Sequence, residues 1–247
     1  MIAKRHLNNA PIKEAIIDIQ VTRDGEFDLN SIEGLHAQFK EEYPHIDPLT
    51  TNKLGFHFDS NKSMSTKVDS QQAGYRYTSK DKKNIVQYRK DGFTFSRLEP
   101  YETWEIMSAE AKKLWEIYKQ SCSDNCLISR IATRYINLMM IPLPIEDFSA
   151  YLASPPTVPP GLPQGISSFL SRVVIPNPEI KAHVIITHAL DRPEEDFAPI
   201  TLDIDAVKQC EYDPQNTNIW LDLDKLRSFK NDVFFESITE KSAELFK

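Results

Sequence analysis

Apolar residues recur along the chain with two spacings, every second position and every third or fourth. These rhythms divide the chain into strands and helices. From Ile12 to Val21 the side chains of Ile17, Ile19 and Val21 alternate, the period of a strand with one buried face. Asp24-Gly25 marks a turn. A helix follows, capped by Asp28 or Asn30, with Leu29, Ile32, Leu35 and Phe39 as its apolar stripe and Pro44 and Pro48 as its stop. Leu54 to Asp59 reads as a short strand carrying Phe56 and Phe58. Ser60 to Gln72 is polar and aperiodic, the pattern of a mobile loop, and Ala73 to Ser79 is strand-like around Tyr75 and Tyr77. Ile85–Arg89 and Phe93–Leu98 flank Lys90-Asp91-Gly92, which predicts a hairpin. After Pro100, the positions of Trp104, Met107, Ala111, Leu114 and Tyr118 predict a long amphipathic helix.

The second half repeats this order. Leu127 to Ile141 is the longest strand-like segment, ended by Pro142 and Pro144, and Ile145 to Leu152 reads as a short helix. Ser154 to Gly165 holds five prolines, which excludes helix and central strand and predicts an extended loop. Phe169–Ile175 and Lys181–Leu190 read as strands joined at Pro176-Asn177-Pro178. Ile200–Val207 is a further strand with clean alternation. Trp220 to Phe246 reads as helix, with an expected break near Lys230-Asn231.

Runs of consecutive strands closed by single helices predict an α+β fold, a mainly antiparallel sheet backed by helices. One compact domain is expected over residues 1–247, with halves 1–125 and 126–247 as tandem copies of a β-α-β(3-4)-α unit. That order resembles the tandem saddle of TATA-box-binding proteins, a likeness of fold that carries no function.

The chain has 247 residues and a net charge of −7, an acidic balance that disfavours nucleic acid and anionic membrane as partners. No apolar run approaches the ~20 residues of a membrane span. The basic amino terminus, from Met1 to Pro11, has no apolar core of the secretory kind. Three cysteines, Cys122, Cys126 and Cys210, fit a reducing compartment with free thiols, and cytoplasmic residence is expected. The C-x-x-x-C spacing of Cys122 and Cys126 is not that of a thioredoxin pair, so ordinary thiols are expected there.

Four blocks resemble a sporadically distributed, uncharacterised prokaryotic family of about 250 residues. They are Ala10-Pro11-Ile12 with Glu14-Ala15 and Asp18; Phe95-Ser96-Arg97-Leu98 with Pro100-Tyr101 and Trp104; Arg134-Tyr135-Ile136-Asn137; and Phe235-Glu236 with Ile238-Thr239, Lys241 and Phe246. The resemblance spans most of the chain and implies no activity, cofactor or catalytic residue.

Two groups of residues are candidates for chemistry. Arg130 and Arg134 are four apart on one strand and leave the same face. With Arg89 and Arg97 they could line an anion site for a nucleotide, phosphate or acidic peptide. The alternative is internal ion pairing to Glu14, Asp18 or Glu236. Asp203 and Asp205 also share a strand face and could hold Mg²⁺ as phosphoester hydrolases do, or simply form a solvated surface. His6, His36, His45, His57, His183 and His188 make no metal-binding spacing. With only seven glycines, no phosphate-cradling or nucleophile-elbow motif is present.

The expected function is therefore a non-enzymatic binding or assembly module without cofactor, with the 154–165 loop as an arm for a protein partner or a second copy. Two alternatives stand beside it: a metal-dependent phosphoester hydrolase using Asp203 and Asp205, and a nucleotide or nucleic-acid binder on a concave sheet face.

Overall fold

The computed structural model describes residues 7–25, 27–59, 62–122, 125–190 and 196–247, without the side chains of 52–70. The charged amino terminus with His6, Ser60 at the start of the expected loop, and the side chains of Phe56, His57 and Phe58 fall outside the described residues.

Among the described residues, nine strands form one antiparallel sheet. In chain order they are β1 (Ile12–Thr22), β2 (His45–Asp59), β3 (Lys62–Thr78), β4 (Asn84–Arg89), β5 (Gly92–Leu98), β6 (Leu127–Pro142), β7 (Phe169–Asn177), β8 (Ala182–Leu190) and β9 (Phe197–Tyr212). The spatial order is β2-β3-β4-β5-β1-β6-β9-β8-β7. β1 and β6, the first strands of the two halves, pair at the centre. On each side the sheet continues with that half's last strand and then runs backwards through the sequence to an edge.

The helices lie on one face. α1 (Asn30–Glu33) continues as a 3-10 turn over Gly34–Gln38, and α2 (Trp104–Tyr118) follows β5. α3 (Asn218–Ser237) follows β9, and α4 (Glu240–Glu244) ends the chain. The Tyr77 hydroxyl donates to the Ile32 carbonyl and the Tyr88 hydroxyl to the Leu114 carbonyl, which fastens α1 and α2 to the same side. The Trp104 indole N–H donates to Asp224 Oδ1 at 2.6 Å, tying α2 to α3. Under these helices Ile17, Ile19, Phe93, Phe95, Tyr135 and Ile204 are fully buried. Each large side chain removed from water there contributes about 2 kcal/mol. The turn before β5 closes on Gly92, at φ +152°. A Cβ there would meet the Ile19 carbonyl oxygen at 2.4 Å, so only glycine lets the hairpin lie against β1.

Several expectations change. The expected strand Leu54–Asp59 lies within a longer β2, whereas the segment read as a mobile loop is, from Lys62 on, part of β3 in the long β2–β3 hairpin. Its polar sequence hides it, because ladder hydrogen bonds need no apolar alternation. Pro48 lies within β2 because β2 is an edge strand, where a missing N–H is tolerated. Residues 148–150 form only one 3-10 turn. The closing helix runs unbroken through Lys230-Asn231 and stops at Ile238, which bridges to Leu152. Thr239 then caps α4.

Candidate functional site

The sheet face opposite the helices carries the charged residues singled out in the sequence. Strand parity sorts them. Ala15, Ile17 and Ile19 of β1 point under the helices, so Glu14, Ile16, Asp18 and Gln20 point the other way. The register of β1 with β6 and of β6 with β9 puts Arg130, Arg134, Asp203 and Asp205 on that same open face. Arg89 and Thr94 join them from β4 and β5. Arg97 does not. It sits opposite Ala15, on the helix side, where it donates to Glu102 at 2.5 Å and to the side-chain amide oxygen Oδ1 of Asn84 at 3.1 Å.

The arginines and aspartates are partners of one another. Asp18 accepts from Arg130 Nη1 at 2.7 Å, from Arg89 Nη2 at 3.1 Å and from the Thr94 hydroxyl at 2.7 Å. Arg89 also donates to Thr94 and to Asp91. Arg130 Nη2 reaches Asp205 at 3.4 Å. Arg134 holds Asp203 with both prongs of its guanidinium, at 2.9 and 2.6 Å. The candidate anion site and the candidate cation site are thus one cluster, in which Arg89, Arg130 and Arg134 pair with Asp18, Asp91, Asp203 and Asp205. Every guanidinium in it is matched by a carboxylate of the same chain.

Burial is uneven across the network. Arg89, Asp18, Arg130 and Asp205 keep less than a fifth of their side-chain surface, whereas Arg134 is 45% exposed. Burial opposes the Arg89 charge, and the Asp18 and Asp91 carboxylates outweigh it, so its pKa is raised. Burial also raises the Asp205 carboxyl, with Arg130 and Arg134 opposing. Its Oδ1 has no hydrogen-bond partner among the described residues. Among those residues, no group of three His, Cys, Asp or Glu side chains is placed to hold a metal ion. The sequence reading had named Asp18 among the partners of these arginines. It did not foresee that Asp203 would hold Arg134, because the β6–β9 register was not known.

The rim of the sheet is different. Among the described residues, β7 pairs only with β8 and leaves its outer edge free. Leu170 is 75% exposed, and Val173, Val174 and Ile175 are all over 40% exposed. The Pro-rich segment leads directly into this strand. Leu152 packs into the core and Ile166 against it, but Leu162 stands out in water at a turn closed by its N–H to the Pro159 carbonyl. The consecutive Val173, Val174 and Ile175 put apolar side chains on both faces of this edge strand, and sequence alone does not tell such a run at an edge from one in a buried strand.

The Cys122 and Cys126 sulfurs lie 2.9 Å apart, and Cys210 is elsewhere, near the Ile128 carbonyl. His183 and His188 face opposite ways, and burial lowers the His188 pKa. No helix among the described residues is long and apolar enough to cross a membrane. No family model matches the chain, and no curated protein matches it.

Proposed function

We propose that the chain is a non-enzymatic assembly module that pairs with a second copy of itself through β7. The carrying observation is the exposed apolar edge of β7. A free edge offers unpaired N–H and C=O groups to another strand, and proteins ordinarily blunt such edges with charge, proline or cover. The other edge, β2, has Asp47, Pro48 and Lys53 in its sequence. β7 has one charge, Arg172, and its proline comes only at its penultimate position. Two β7 strands meeting antiparallel about Val173 would set Arg172 of each against Val174 of the other, so like charges would not oppose. The Pro-rich arm feeding β7 adds Leu162 beside it in sequence, and its prolines lower the entropy lost on docking. The strand order runs backwards through the sequence outward from β1 and from β6 alike, over four strands on one side and three on the other, and supports reading residues 1–125 and 126–247 as duplicated halves with saddle-like curvature.

Light scattering after size-exclusion chromatography tests the pairing. Wild type should run at twice 28.4 kDa. Val173→Lys with Ile175→Lys should run as a monomer with an unchanged melting temperature. Deleting Pro155 to Pro163 should weaken the dimer and leave the fold intact. A wild type that stays monomeric at high concentration would refute self-pairing and leave the edge to a strand from another protein.

A further inference from the structure

We propose that Cys122 and Cys126 form a reversible dithiol–disulfide couple, oxidised by small-molecule disulfides and assisted by Arg23. The pair lies where the two halves of the chain meet, between the 3-10 turn after α2 (Lys119–Ser121) and the first residue of β6. Three observations converge on it.

The first is distance. The two sulfurs are 2.9 Å apart, about 0.9 Å beyond the ~2.0 Å of a covalent S–S bond, so closing it needs little movement. The second is the guanidinium beside them. Arg23 reaches across from the residue after β1 and donates to the Ser121 carbonyl at 2.6 Å and the Tyr118 hydroxyl at 2.6 Å. It comes within 3.8 Å of Cys122 Sγ. Phe27 and Tyr118 sandwich it, with its charge centre 4.2 Å and 5.4 Å from their ring centroids. A fixed positive charge near two thiols favours the thiolate, the reactive form. The third is the division of labour between the sulfurs. Cys122 is partly exposed and Cys126 is buried. The hydrogen bond between the two sulfurs pushes the Cys126 thiol down to about 7. Burial opposes this and Arg23 assists it, while the same hydrogen bond and burial raise Cys122.

The chemistry balances with a low-molecular-weight disulfide, RSSR, as oxidant. Cys122, the accessible sulfur, passes its proton to the Cys126 thiolate and attacks one sulfur of RSSR. The S–S bond of RSSR breaks, and the departing RS⁻ takes that proton from Cys126, which returns Cys126 to the thiolate. Cys126, as thiolate, then attacks Cys122 Sγ of the mixed disulfide. The intramolecular S–S bond forms and the second RS⁻ leaves, to be protonated in turn. Two protein thiols are oxidised and one RSSR is reduced to two RSH.

The test uses the full chain carrying Cys210→Ser, so that only the pair can react. Glutathione disulfide is added near neutral pH, the reaction is quenched with acid and an alkylating agent, and intact mass is read. The expected result is loss of both free thiols and of two hydrogens, no lasting glutathione adduct, no covalent dimer, and full recovery with dithiothreitol. Adding Cys126→Ser should trap a lasting adduct on Cys122. Arg23→Gln should slow ring closure about threefold to tenfold at neutral pH, with the difference vanishing above the thiol pKa range. Two thiols that stay free, a persistent adduct in the presence of both cysteines, or disulfides between chains would each overturn the couple. Equal rates for Arg23→Gln at both pH values would overturn the role given to Arg23.

Discussion

The centre of the open sheet face and its β7 rim invite opposite readings from sequence and from structure. The centre concentrates charge: Arg89, Arg130 and Arg134 stand among Asp18, Asp203 and Asp205, and every one of the six has a partner within the group. The rim has one charge, yet it keeps an unpaired ladder edge and four exposed aliphatic side chains. Charge density drew attention to the centre, but free valence lies at the rim. A side chain whose bonding capacity is met inside the fold has little left for a ligand, whatever its formal charge. The comparison predicts that variants at the centre change stability and leave oligomeric mass alone. Variants at the rim should do the reverse.

The largest effect is expected at Asp18. Its two carboxylate oxygens take Arg130, Arg89 and Thr94. Asp18→Ala removes the carboxylate that two guanidiniums share and leaves Arg89 with exposed Asp91 and Arg130 with Asp205 at 3.4 Å, which costs about 3 kcal/mol. Arg130→Met keeps volume and leaves Asp18 two other donors, but takes the donor from Asp205, and should cost about 2 kcal/mol. Urea denaturation of both variants checks the order. A cheap Asp18→Ala would mean that the network is not structural and would restore the centre as a binding site.

Lys230 gives the contrast on the helix side. It is buried in α3 with its ammonium 3.5 Å from the Tyr135 ring centroid, and no carboxylate pairs with it among the described residues. Burial, with Arg227 nearby, pushes its pKa down to about 7. The folded state therefore favours the neutral amine more than the unfolded chain does. Native stability should fall as pH drops from the ordinary lysine range toward 7 and level off below it. The ring offsets part of the cost. Lys230→Met should raise stability by about 2 kcal/mol below pH 7 and by progressively less toward pH 10. Melts across that range measure the convergence of the two curves, and parallel curves would show that Lys230 is not the titrating group.

What could be read from the chain follows from which forces leave a periodic trace. β1, β9 and α2 bury one face each, and burial writes itself into the spacing of Ile17 and Ile19 or of Trp104, Met107 and Ala111. The β2–β3 hairpin is paired through the backbone over a stretch whose polar sequence carries no such trace. The candidate residues were legible as types and faces, since Arg130 and Arg134 do share a face with Asp203 and Asp205. Their partnership was not, because it depends on the β6–β9 register, and one step of register moves every side chain to the other face. The Cys122–Cys126 contact was hidden for a similar reason. Spacing along a loop does not say how tightly the loop folds.

A smaller effect is expected at Asp222, which joins β9 to α3. It accepts from Lys208 at 2.5 Å, Tyr212 at 2.8 Å and Lys225 at 2.9 Å. Burial would raise its pKa, but these three donors outweigh burial and push it down to about 2. Its contribution is complete above the unfolded carboxyl range and is lost as pH falls from about 4 through 2. Asp222→Asn should cost about 1–2 kcal/mol at neutral pH and nothing further in that acid window. Acid titration of both proteins by circular dichroism checks it, and an unchanged acid transition would remove Asp222 from the account.

The smallest effect is expected where the two regions of the open face grade into one another. Arg134 belongs to the charged centre, but 45% of its side chain meets water, whereas its partner Asp203 keeps only 16%. The fork-to-carboxylate geometry is good, with both contacts below 3 Å. Solvent nevertheless screens a half-exposed pair, and holding two side chains in one pose costs entropy. A double-mutant cycle of Arg134→Met and Asp203→Asn should give a coupling of about 0.5 kcal/mol at low salt, shrinking further near 1 M salt. Asp203→Asn alone should cost more than Arg134→Met alone, because it leaves a guanidinium without its carboxylate while its own amide fills a more buried place. Neither variant should alter the oligomeric mass. A coupling above 2 kcal/mol that survives high salt would show that Arg134 belongs with the buried network. A shift in oligomeric mass would show that assembly reaches inward from β7 to β6, and the division between a structural centre and an associating rim would have to be redrawn.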